Sequence, residues 1–420
     1  YFLKWAFMPS TTSLMSSPPT SLGPDLACSS AMFGEDPTSW PKVAVIYLTY
    51  NTKDSSEEIP RCLASLERVN YPCDRWEIIC VENPSNHGAS WPFIEKDWMP
   101  KCGTTLPPMT VRKNEHDLGY AGANNVGVGI AQEHGAAYVF LLNQDTEVDP
   151  DFLKHAVMRA ERDPAVGFVQ SLVLLGQNKE RVNSMGNRYH FLGYGYAGGY
   201  QWSRERALKA FEAQKMNDPD LNVPTFSGSA VLARVDMVKK IGLFDAPFYM
   251  YHEDIDAAFN GRVHGWKSVI EPTSIVYHYY AFSKSIKKFY WMERNRFLFL
   301  LSYYKIGTWL LILPTFLCVE IASLLFAIRG GWWREKLRAW AFFYRPSTWH
   351  WVWERRRRIQ RERIISDREL LSIAESQILF QEGGADDAGI QKDVNSPLVT
   401  KIANPGLTFL WRIIYSLVRW

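Results

Sequence analysis

Apolar runs and helical patterns alternate along the chain between residues 41 and 300. The run at 43–48 is β-branched and apolar on both faces, which is typical of a strand buried in a parallel sheet. Runs at 77–81 and 138–142 predict two further strands, and 3.6-residue periodicity predicts helices near 55–69, 122–134 and 151–162. Strands that alternate with helices predict an α/β fold, a Rossmann-like and mostly parallel sheet with helices on both faces.

The pattern changes on either side of this region. Residues 1–40 are rich in Ser, Thr and Pro without any period, which predicts a flexible N-terminal tail. Residues 301–420 are aromatic, apolar and basic, and they predict a C-terminal helical region in which 382–387 form a loop before the last helix. The sequence therefore predicts three parts, at 1–40, 41–300 and 301–420.

The C-terminal region carries a pattern that is typical of a membrane interface. Residues 306–328 are long enough to span a bilayer but contain Pro314 and Glu320. The segment 329–363 that follows holds eleven Lys and Arg, three Glu and six Trp. We expect interfacial or re-entrant helices on a membrane surface, in a peripheral or monotopic protein. A true span and a soluble or homo-oligomer-forming helical unit are the alternatives.

Composition excludes several classes of protein. With 47% hydrophobic residues, the 420-residue chain is not wholly disordered. A net charge of +3 gives no overall bias towards nucleic acid, and we expect no nucleic-acid partner. The six cysteines contain no CxxC pair, which indicates neither a zinc site nor a disulfide framework and favours a reducing compartment.

Polar residues follow the predicted strands at their carboxyl ends, where ligands bind in such sheets. Two groups can hydrogen-bond to a base and a ribose, although ordinary turn chemistry explains them equally: Thr49, Tyr50 and Asn51, and Glu82 with Asn83. The glycine-rich segment 114–127 can expose helix N–H groups to an anion, or can be a loop that closes tightly on the sheet.

Carboxylates and one histidine complete the candidate chemistry. Asp145, in the run 143–146, can hold a hard divalent cation or can cap the next helix. Three carboxylates within four residues indicate a bound cation or a catalytic base, or form a solvated cap: Glu253, Asp254 and Asp256. His278 follows an apolar strand and is either a structural residue, a metal ligand or a partner of a leaving group.

Taken together and in order, these motifs resemble those of family 2 glycosyltransferases, and most of all the bacterial rhamnosyltransferase group. The resemblance covers about residues 41–300 and rests on the segments 45–51, 81–83, 118–125, 141–145, 228–230, 244–245 and 253–256. It implies a GT-A fold and inverting transfer from a nucleoside-diphosphate sugar, L-rhamnose from dTDP-rhamnose in the first instance. The acceptor would be a glycan or a lipid-linked molecule at the cytoplasmic face of the cell membrane.

The resemblance also assigns roles to residues. Asp254 would be the general base, Glu253 would orient the acceptor, and Asp145 with His278 would hold Mg²⁺ or Mn²⁺. The donor would lie against ten residues: Thr49, Tyr50, Asn51, Glu82, Asn83, Gly119, Gly122, Asn124, Asn143 and Gly228.

The sequence departs from the family pattern at three positions. Asn143 replaces the usual first metal carboxylate, Glu82 replaces an aspartate, and Asn260 stands where an arginine is common. A UDP-sugar donor and a non-catalytic glycan-binding scaffold on the membrane remain as alternatives.

Overall fold

The computed structural model describes residues 39–279, 288–379 and 397–420, so the predicted tail up to residue 38 and the predicted loop at 382–387 lie outside it. Nine strands form one sheet in the order β3-β2-β1-β4-β10-β6-β11-β5, with β7 paired to β6, and β8 pairs with β9 separately. The strands are β1 (Val43–Tyr50), β2 (Trp76–Asn83), β3 (Met109–Lys113), β4 (Tyr138–Asn143), β5 (Thr146–Val148), β6 (Val166–Leu175), β7 (Asn178–Ser184), β8 (Asn187–Tyr189), β9 (Gly195–Ala197), β10 (Ala230–Arg234) and β11 (Lys267–His278).

The three predicted strands are confirmed as β1, β2 and β4, and β3-β2-β1-β4 is parallel throughout. The other half of the sheet is mixed, because β10 runs antiparallel to both β4 and β6, and β5 and β7 are antiparallel edge strands. The prediction of a mostly parallel sheet therefore describes the N-terminal half. Apolar periodicity reports burial rather than direction, so it could not show the reversal at β10.

Helices cover both faces of the sheet. They are α1 (Ser55–Leu66), α2 (Trp91–Asp97), α3 (Gly119–Glu133), α4 (Phe152–Glu161), α5 (Arg204–Lys215), α6 (Val235–Ile241), α7 (Glu253–Val263), α8 (Lys288–Tyr303), α9 (Ile306–Arg329), α10 (Trp333–Phe342), α11 (Pro346–Glu362), α12 (Asp367–Ser372) and α13 (Asn404–Leu417).

Alternate residues of β1 point into two different cores, as a strand buried on both sides requires. Val45 and Tyr47 pack in one core with α1 and α4, whereas Ala44 and Ile46 pack in the other with α3 and α6. The α/β architecture with helices on both faces is as predicted. The side chains on both faces of β1 are buried up to Tyr47, and this packing fixes the position of the polar residues at its carboxyl end.

The C-terminal helical region is also present, and it packs directly on the sheet domain. Phe299 and Tyr303 of α8 share a buried aromatic cluster with Phe259 of α7. The predicted boundary at residue 300 falls inside α8, which begins at Lys288. The helix α8 therefore joins the two parts of the molecule.

Candidate active site

The carboxyl ends of β1, β2 and β4 lie side by side, as the strand-end polar residues predicted. Thr49 is in register with Glu82, and Leu48 is in register with Asn143. Thr49 is fully buried, with its hydroxyl 4.0 Å from the Cys80 sulfur. The candidate donor residues of three separate segments therefore share one sheet edge.

Gln144 shapes this edge, although sequence reasoning gave it no role. Its Oε1 accepts a 2.9 Å hydrogen bond from the Tyr50 backbone N–H, and its Nε2 donates to the Glu58 carboxylate at 2.8 Å. Asn51 donates from Nδ2 to the His87 carbonyl at 2.9 Å. In the sequence, the position of Gln144 beside Asp145 in the run 143–146 is the feature that could have identified it.

Glu82 and Asn83 are buried and support the loops around the edge. The Glu82 carboxylate accepts hydrogen bonds from the backbone N–H and hydroxyl of Ser90 at the start of α2. Asn83 donates from Nδ2 to the Gly119 carbonyl at 3.0 Å, and its Oδ1 accepts from Asn114 at 2.9 Å. The extra methylene of Glu82 thus reaches the N-terminus of α2.

The glycine-rich segment starts α3 at Gly119, three residues earlier than predicted. Gly119 has φ +67°, and a Cβ there would overlap the Tyr249 ring and carbonyl. Asn124 is buried and donates to the Tyr120 carbonyl within α3, so its amide is used inside the helix. Gly122 lies one turn into α3, where a Cβ would press on the Leu118 side chain.

Asp145 and His278 come together although 133 residues separate them. His278 Nε2 lies 3.1 Å from Asp145 Oδ1, and its Nδ1 lies 3.3 Å from Asn183 Oδ1. The strands β11 and β5 pair at Thr146 and His278, which brings the two side chains to the same edge. Asp145 lies well before Asp151, the residue that precedes α4, so it does not cap that helix.

Two donor atoms of different kinds are therefore available for a cation. A carboxylate oxygen and an imidazole nitrogen suit Mn²⁺ at least as well as Mg²⁺, and such ions take their other ligands from phosphate and water. Within residues 39–279, 288–379 and 397–420, no group of three or more His, Cys, Asp or Glu side chains could hold a metal alone. The pair fits a metal that binds together with a phosphorylated substrate.

Asp254 lies in the first turn of α7, facing the start of β10. Its Oδ2 accepts from the Gly228 backbone N–H at 3.4 Å, and its Oδ1 accepts from the Ile255 N–H at 2.8 Å. Tyr120 donates to the Gly228 carbonyl at 2.5 Å, and a Cβ on Gly228 would crowd that hydroxyl. Only a glycine at 228 leaves room for this arrangement.

Burial sets the protonation states of the two neighbouring carboxyls. It raises the pKa of Asp254 from 3.8 to about 6, against the effect of the hydrogen bonds from Ile255 and Gly228. It raises the pKa of Glu253 well above its ordinary value, and the charges of Asp254 and Asp256 raise it further. In the described chain Glu253 Oε2 is buried without a hydrogen-bond partner. Of the two carboxyls, Glu253 has the environment that disfavours the charged form more strongly.

The strand end of β4 and the acidic cluster meet at the turn before β10. The Asn143 N–H donates to the Ser229 carbonyl at 3.2 Å, and Asp254 accepts from the Gly228 N–H at 3.4 Å. Burial raises the pKa of Tyr120, which donates to the carbonyl of the same glycine, well above its ordinary value. The strand end of β4 and the first turn of α7 therefore lie side by side.

Arg355 holds the other two carboxylates of the acidic segment. Buried at the centre of α11, its guanidinium pairs with both Asp245 and Asp256. Burial alone would raise the pKa of Asp245, but Arg355 and Arg358 hold it below its ordinary value. Burial raises the pKa of Asp256 to about 6 although Arg355 lowers it. Arg355 belongs to the segment 329–363, for which the sequence predicts a membrane interface, but its side chain faces inwards and pairs with these carboxylates.

Other charges of the C-terminal region are buried as well. Glu320, predicted as an interruption of an apolar segment, pairs with Arg296 of α8 and with Lys336 of α10, the latter at 3.0 Å. Glu293 lies 2.9 Å from Arg296 and 2.8 Å from Lys336. The four charges balance one another between three helices. The predicted basic surface is therefore smaller than the count of cations indicates, because Lys336, Arg355 and Arg356 face inwards.

The opposite face of α9 is apolar and exposed. Its exposed residues are Ile306, Leu310, Leu313, Leu317, Ile321, Leu325 and Ile328. By length and composition, α9 is one helix that could cross a membrane. Trp420, which follows α13, donates to the Thr308 hydroxyl at 3.0 Å and so ties that end of the chain to α9.

Comparison with known families identifies the sheet domain. Residues 44–242 match the family model described as glycosyl transferase family 2. This match includes the strand ends of β1, β2 and β4 together with the Asp145 segment. It ends before the acidic cluster of α7.

Two curated proteins are similar to this chain at the same level. Glucomannan 4-beta-mannosyltransferase 7 of Arabidopsis thaliana is 26% identical over 250 residues, which are 58% of this chain and 39% of that protein. N-acetylglucosaminyl-diphospho-decaprenol L-rhamnosyltransferase of Mycobacterium tuberculosis is 26% identical over 254 residues, 58% of this chain and 76% of that protein. The chain thus spans well under half of the plant relative.

A solved structure has a similar arrangement of elements. It is the mannosyltransferase PcManGT from Pyrobaculum calidifontis in complex with GDP-Man and Mn²⁺, which is 16% identical. The TM-score is 0.45, and the alignment covers 91% of this chain and 88% of that one.

Proposed function

Since residues 44–242 belong to glycosyl transferase family 2, we propose that the chain is an inverting glycosyltransferase that uses a nucleoside-diphosphate sugar. The observation that carries the proposal is the position of Asp254. It is a half-buried carboxylate with a pKa of about 6, and it accepts from the Gly228 N–H beside the strand end that leads to the Asp145–His278 pair. A base and a diphosphate site at one sheet edge are what the transfer needs.

Asp254 acts as the general base in this mechanism. An acceptor hydroxyl is a poor nucleophile, and a positioned carboxylate that takes its proton accelerates attack by typically about 10²–10⁴-fold. A pKa of about 6 keeps Asp254 ionised at neutral pH while leaving it basic enough to accept the proton. Attack opposite the leaving diphosphate inverts the anomeric carbon in one displacement, so one base suffices.

Glu253 supports the acceptor side as a neutral group. Burial and the neighbouring carboxylates raise its pKa well above the ordinary value, and in its protonated form it can donate a hydrogen bond to a sugar oxygen. This role orients the acceptor without adding a second negative charge beside Asp254. The same assignment follows from the resemblance in sequence.

Asp145 and His278 would hold the divalent metal, Mg²⁺ or Mn²⁺. Bound there, the ion would neutralise charge on the departing diphosphate. The start of α3 is not assigned to the phosphates, because the Gly119 N–H donates to Asp117 at 2.8 Å and the Ala121 N–H donates to the Tyr249 carbonyl at 3.0 Å. The nucleoside would lie against the ends of β1 and β2.

We assign L-rhamnose from dTDP-rhamnose as the first donor to test. The support is the resemblance to the rhamnosyltransferase group and the mycobacterial relative of that activity. The similarity to a mannosyltransferase at the same identity makes other donors, including UDP-sugars, the alternative. A non-catalytic scaffold is disfavoured by the carboxyl of Glu253, because keeping its Oε2 buried without a hydrogen-bond partner costs folding free energy.

The acceptor is proposed to be a glycan or a lipid-linked molecule at the cytoplasmic face of the cell membrane. The exposed face of α9 supports peripheral or monotopic contact with lipid, since it joins a row of branched apolar side chains to exposed cations such as Arg329 and Arg334. The relative that acts on a decaprenol-linked substrate agrees with this location. A homo-oligomer that covers the same face is the alternative.

The test is release of nucleoside diphosphate from a panel of thymidine-, uridine- and guanosine-linked sugars with acceptor-containing membranes. We expect release from one donor that requires Mg²⁺ or Mn²⁺ and stops with EDTA. Asp145→Ala should lose metal-dependent release, and Asp254→Asn should lose release while retaining nucleotide affinity.

Two outcomes would contradict the proposal. Release that persists in Asp254→Asn would remove the base from its role. Absence of both release and nucleotide binding across the panel would favour the scaffold.

A further inference from the structure

The segment before α7 is held in an unfavourable backbone conformation. In the described ranges, five residues other than glycine have positive φ, and three of them lie here: Tyr249 at 63°, Tyr251 at 63° and His252 at 68°. For L-residues the left-handed region brings Cβ close to the following carbonyl oxygen, which disfavours it by about tenfold per residue. Such a segment persists only when neighbouring groups hold it.

Asn295 of α8 is the group that holds it. Its Nδ2 donates to three carbonyl oxygens of the segment, those of Phe248 at 2.8 Å, Met250 at 2.9 Å and Tyr251 at 2.6 Å. The side chain is fully buried, and its Oδ1 accepts from Arg294 Nη2 at 2.7 Å. The two hydrogens of one amide are therefore shared among three carbonyl oxygens of the turn.

The neighbours of Asn295 strengthen the same contact. Arg294 donates to the carbonyls of Pro247 and Phe248, the latter at 3.1 Å. Trp291, one turn earlier on α8, stacks on Tyr249 with ring centroids 4.4 Å apart. The segment 247–251 is thus fastened along one face of α8.

The held segment leads directly into the catalytic turn. His252 is the last left-handed residue and the N-cap of α7, so the next two residues are Glu253 and Asp254. The direction in which the chain enters α7 decides whether Asp254 faces the Gly228 N–H. If Tyr249, Tyr251 and His252 relaxed to negative φ, the first turn of α7 would rotate away from that position.

We propose that Asn295 is a positioning residue for Asp254, acting through the left-handed segment 249–252. This inference rests on the proposed function for its catalytic consequence. Its structural part concerns only the conformation of the segment. Asn295 lies outside the residues that match the family model and touches no predicted substrate residue.

Asn295→Asp tests the proposal. The substitution keeps the shape of the side chain but replaces the Nδ2 donor by a carboxylate oxygen, which cannot donate to the three carbonyl oxygens and is repelled by them. We expect kcat to fall by about 10²-fold, the cost of misplacing a catalytic group by about 1 Å, with nucleotide affinity unchanged. Hydrogen exchange of the amides at 250–256 should accelerate at the same time.

Asn404→Asp is the matched control. Asn404 is a buried amide of the same helical region whose Nδ2 donates to the Ile378 carbonyl at 3.2 Å, away from the site. It should lower the melting temperature without changing kcat or exchange at 250–256. Equal effects of the two variants on kcat would overturn the proposal by showing a general structural role.

A double-mutant cycle with Tyr251→Gly adds a second readout, because glycine adopts positive φ without cost. We expect Asn295→Asp to reduce kcat less in the Tyr251→Gly background, by about tenfold less if one residue's strain is relieved. Unchanged exchange at 250–256 would refute the structural part whatever the activity. If the wild type transfers no sugar while Asn295→Asp still accelerates exchange at 250–256, the proposed function alone would be refuted.

Discussion

The two sides of the site are built in different ways. The proposed donor side consists of the ends of adjacent parallel strands, with Thr49 in register with Glu82 and Leu48 in register with Asn143. The acid side, Asp245 to Asp256, is held by helices that come later in the chain, through Asn295 of α8 and Arg355 of α11.

This difference shows that the C-terminal helices hold the segment that carries the proposed base. The family match ends at residue 242, before the proposed base, and the groups that hold the acidic segment lie between 294 and 355. The same helices also carry the exposed apolar face of α9. One set of helices thus supports the acidic segment on its inner side and exposes an apolar face on its outer side.

Removal of Arg355 is expected to have the largest effect on stability. Arg355→Met leaves two buried carboxylates without their cation, and breaking a buried ion pair in this way costs about 3–5 kcal/mol. The free energy of unfolding is measured in urea.

Arg356→Met is the matched control for this change. Arg356 is buried beside Arg355 but donates only to the carbonyls of Leu301 and Tyr304. We expect it to cost about 1–3 kcal/mol. A larger loss in Arg356→Met than in Arg355→Met would show that the acid side does not depend on its ion pairs.

The proposed base should make activity and stability change in opposite directions with pH. The pKa of Asp254 is raised from 3.8 to about 6 in the folded chain, so the folded state binds the proton more tightly. The stability that this proton contributes is complete below about pH 4 and is lost as pH rises through 6. Transfer needs the ionised form, so kcat/KM should rise over the same interval.

Asp254→Asn separates the two effects. At pH 8 it should unfold with about 1–3 kcal/mol more free energy than the wild type, because the cost of a buried charge is removed. The gain should vanish at pH 4, where the wild-type carboxyl is protonated. Thermal unfolding at both pH values checks this, and equal destabilisation at both would contradict the assigned pKa.

The smallest stability effect is expected on the outer face of α9. Leu317 is 52% exposed, and Leu317→Ser should change the free energy of unfolding by less than about 0.5 kcal/mol. The triple variant with Leu310→Ser and Ile321→Ser should lose binding to anionic lipid vesicles in flotation assays. Ile312→Ser, on the buried face of the same helix, should destabilise strongly. Vesicle binding that survives the triple variant would place the membrane contact elsewhere.

The strand ends could be predicted from the sequence, whereas the contacts that hold the acidic segment could not. Residues 43–48 and 138–142 are apolar on both faces, and this pattern alone identified β1 and β4 and the edge at which polar residues meet. It did not show that β10 runs antiparallel between β4 and β6, because burial is independent of strand direction. In the sequence, Glu320 interrupts an apolar segment long enough to span a membrane. Its role could not be predicted, because its partners Arg296 and Lys336 lie on other helices.

By itself, then, the sequence determined the sheet core, the polar strand ends and the identity of the acidic segment, since these depend on local periodicity and on neighbours along the chain. The tertiary structure alone decided that Asp145 meets His278, that Asn295 holds the left-handed turn and that Arg355 faces inwards. Each of these contacts joins residues that are more than 40 positions apart. The sequence does not show whether a charged side chain is surrounded by water, by lipid or by an opposite charge, because tertiary packing decides this.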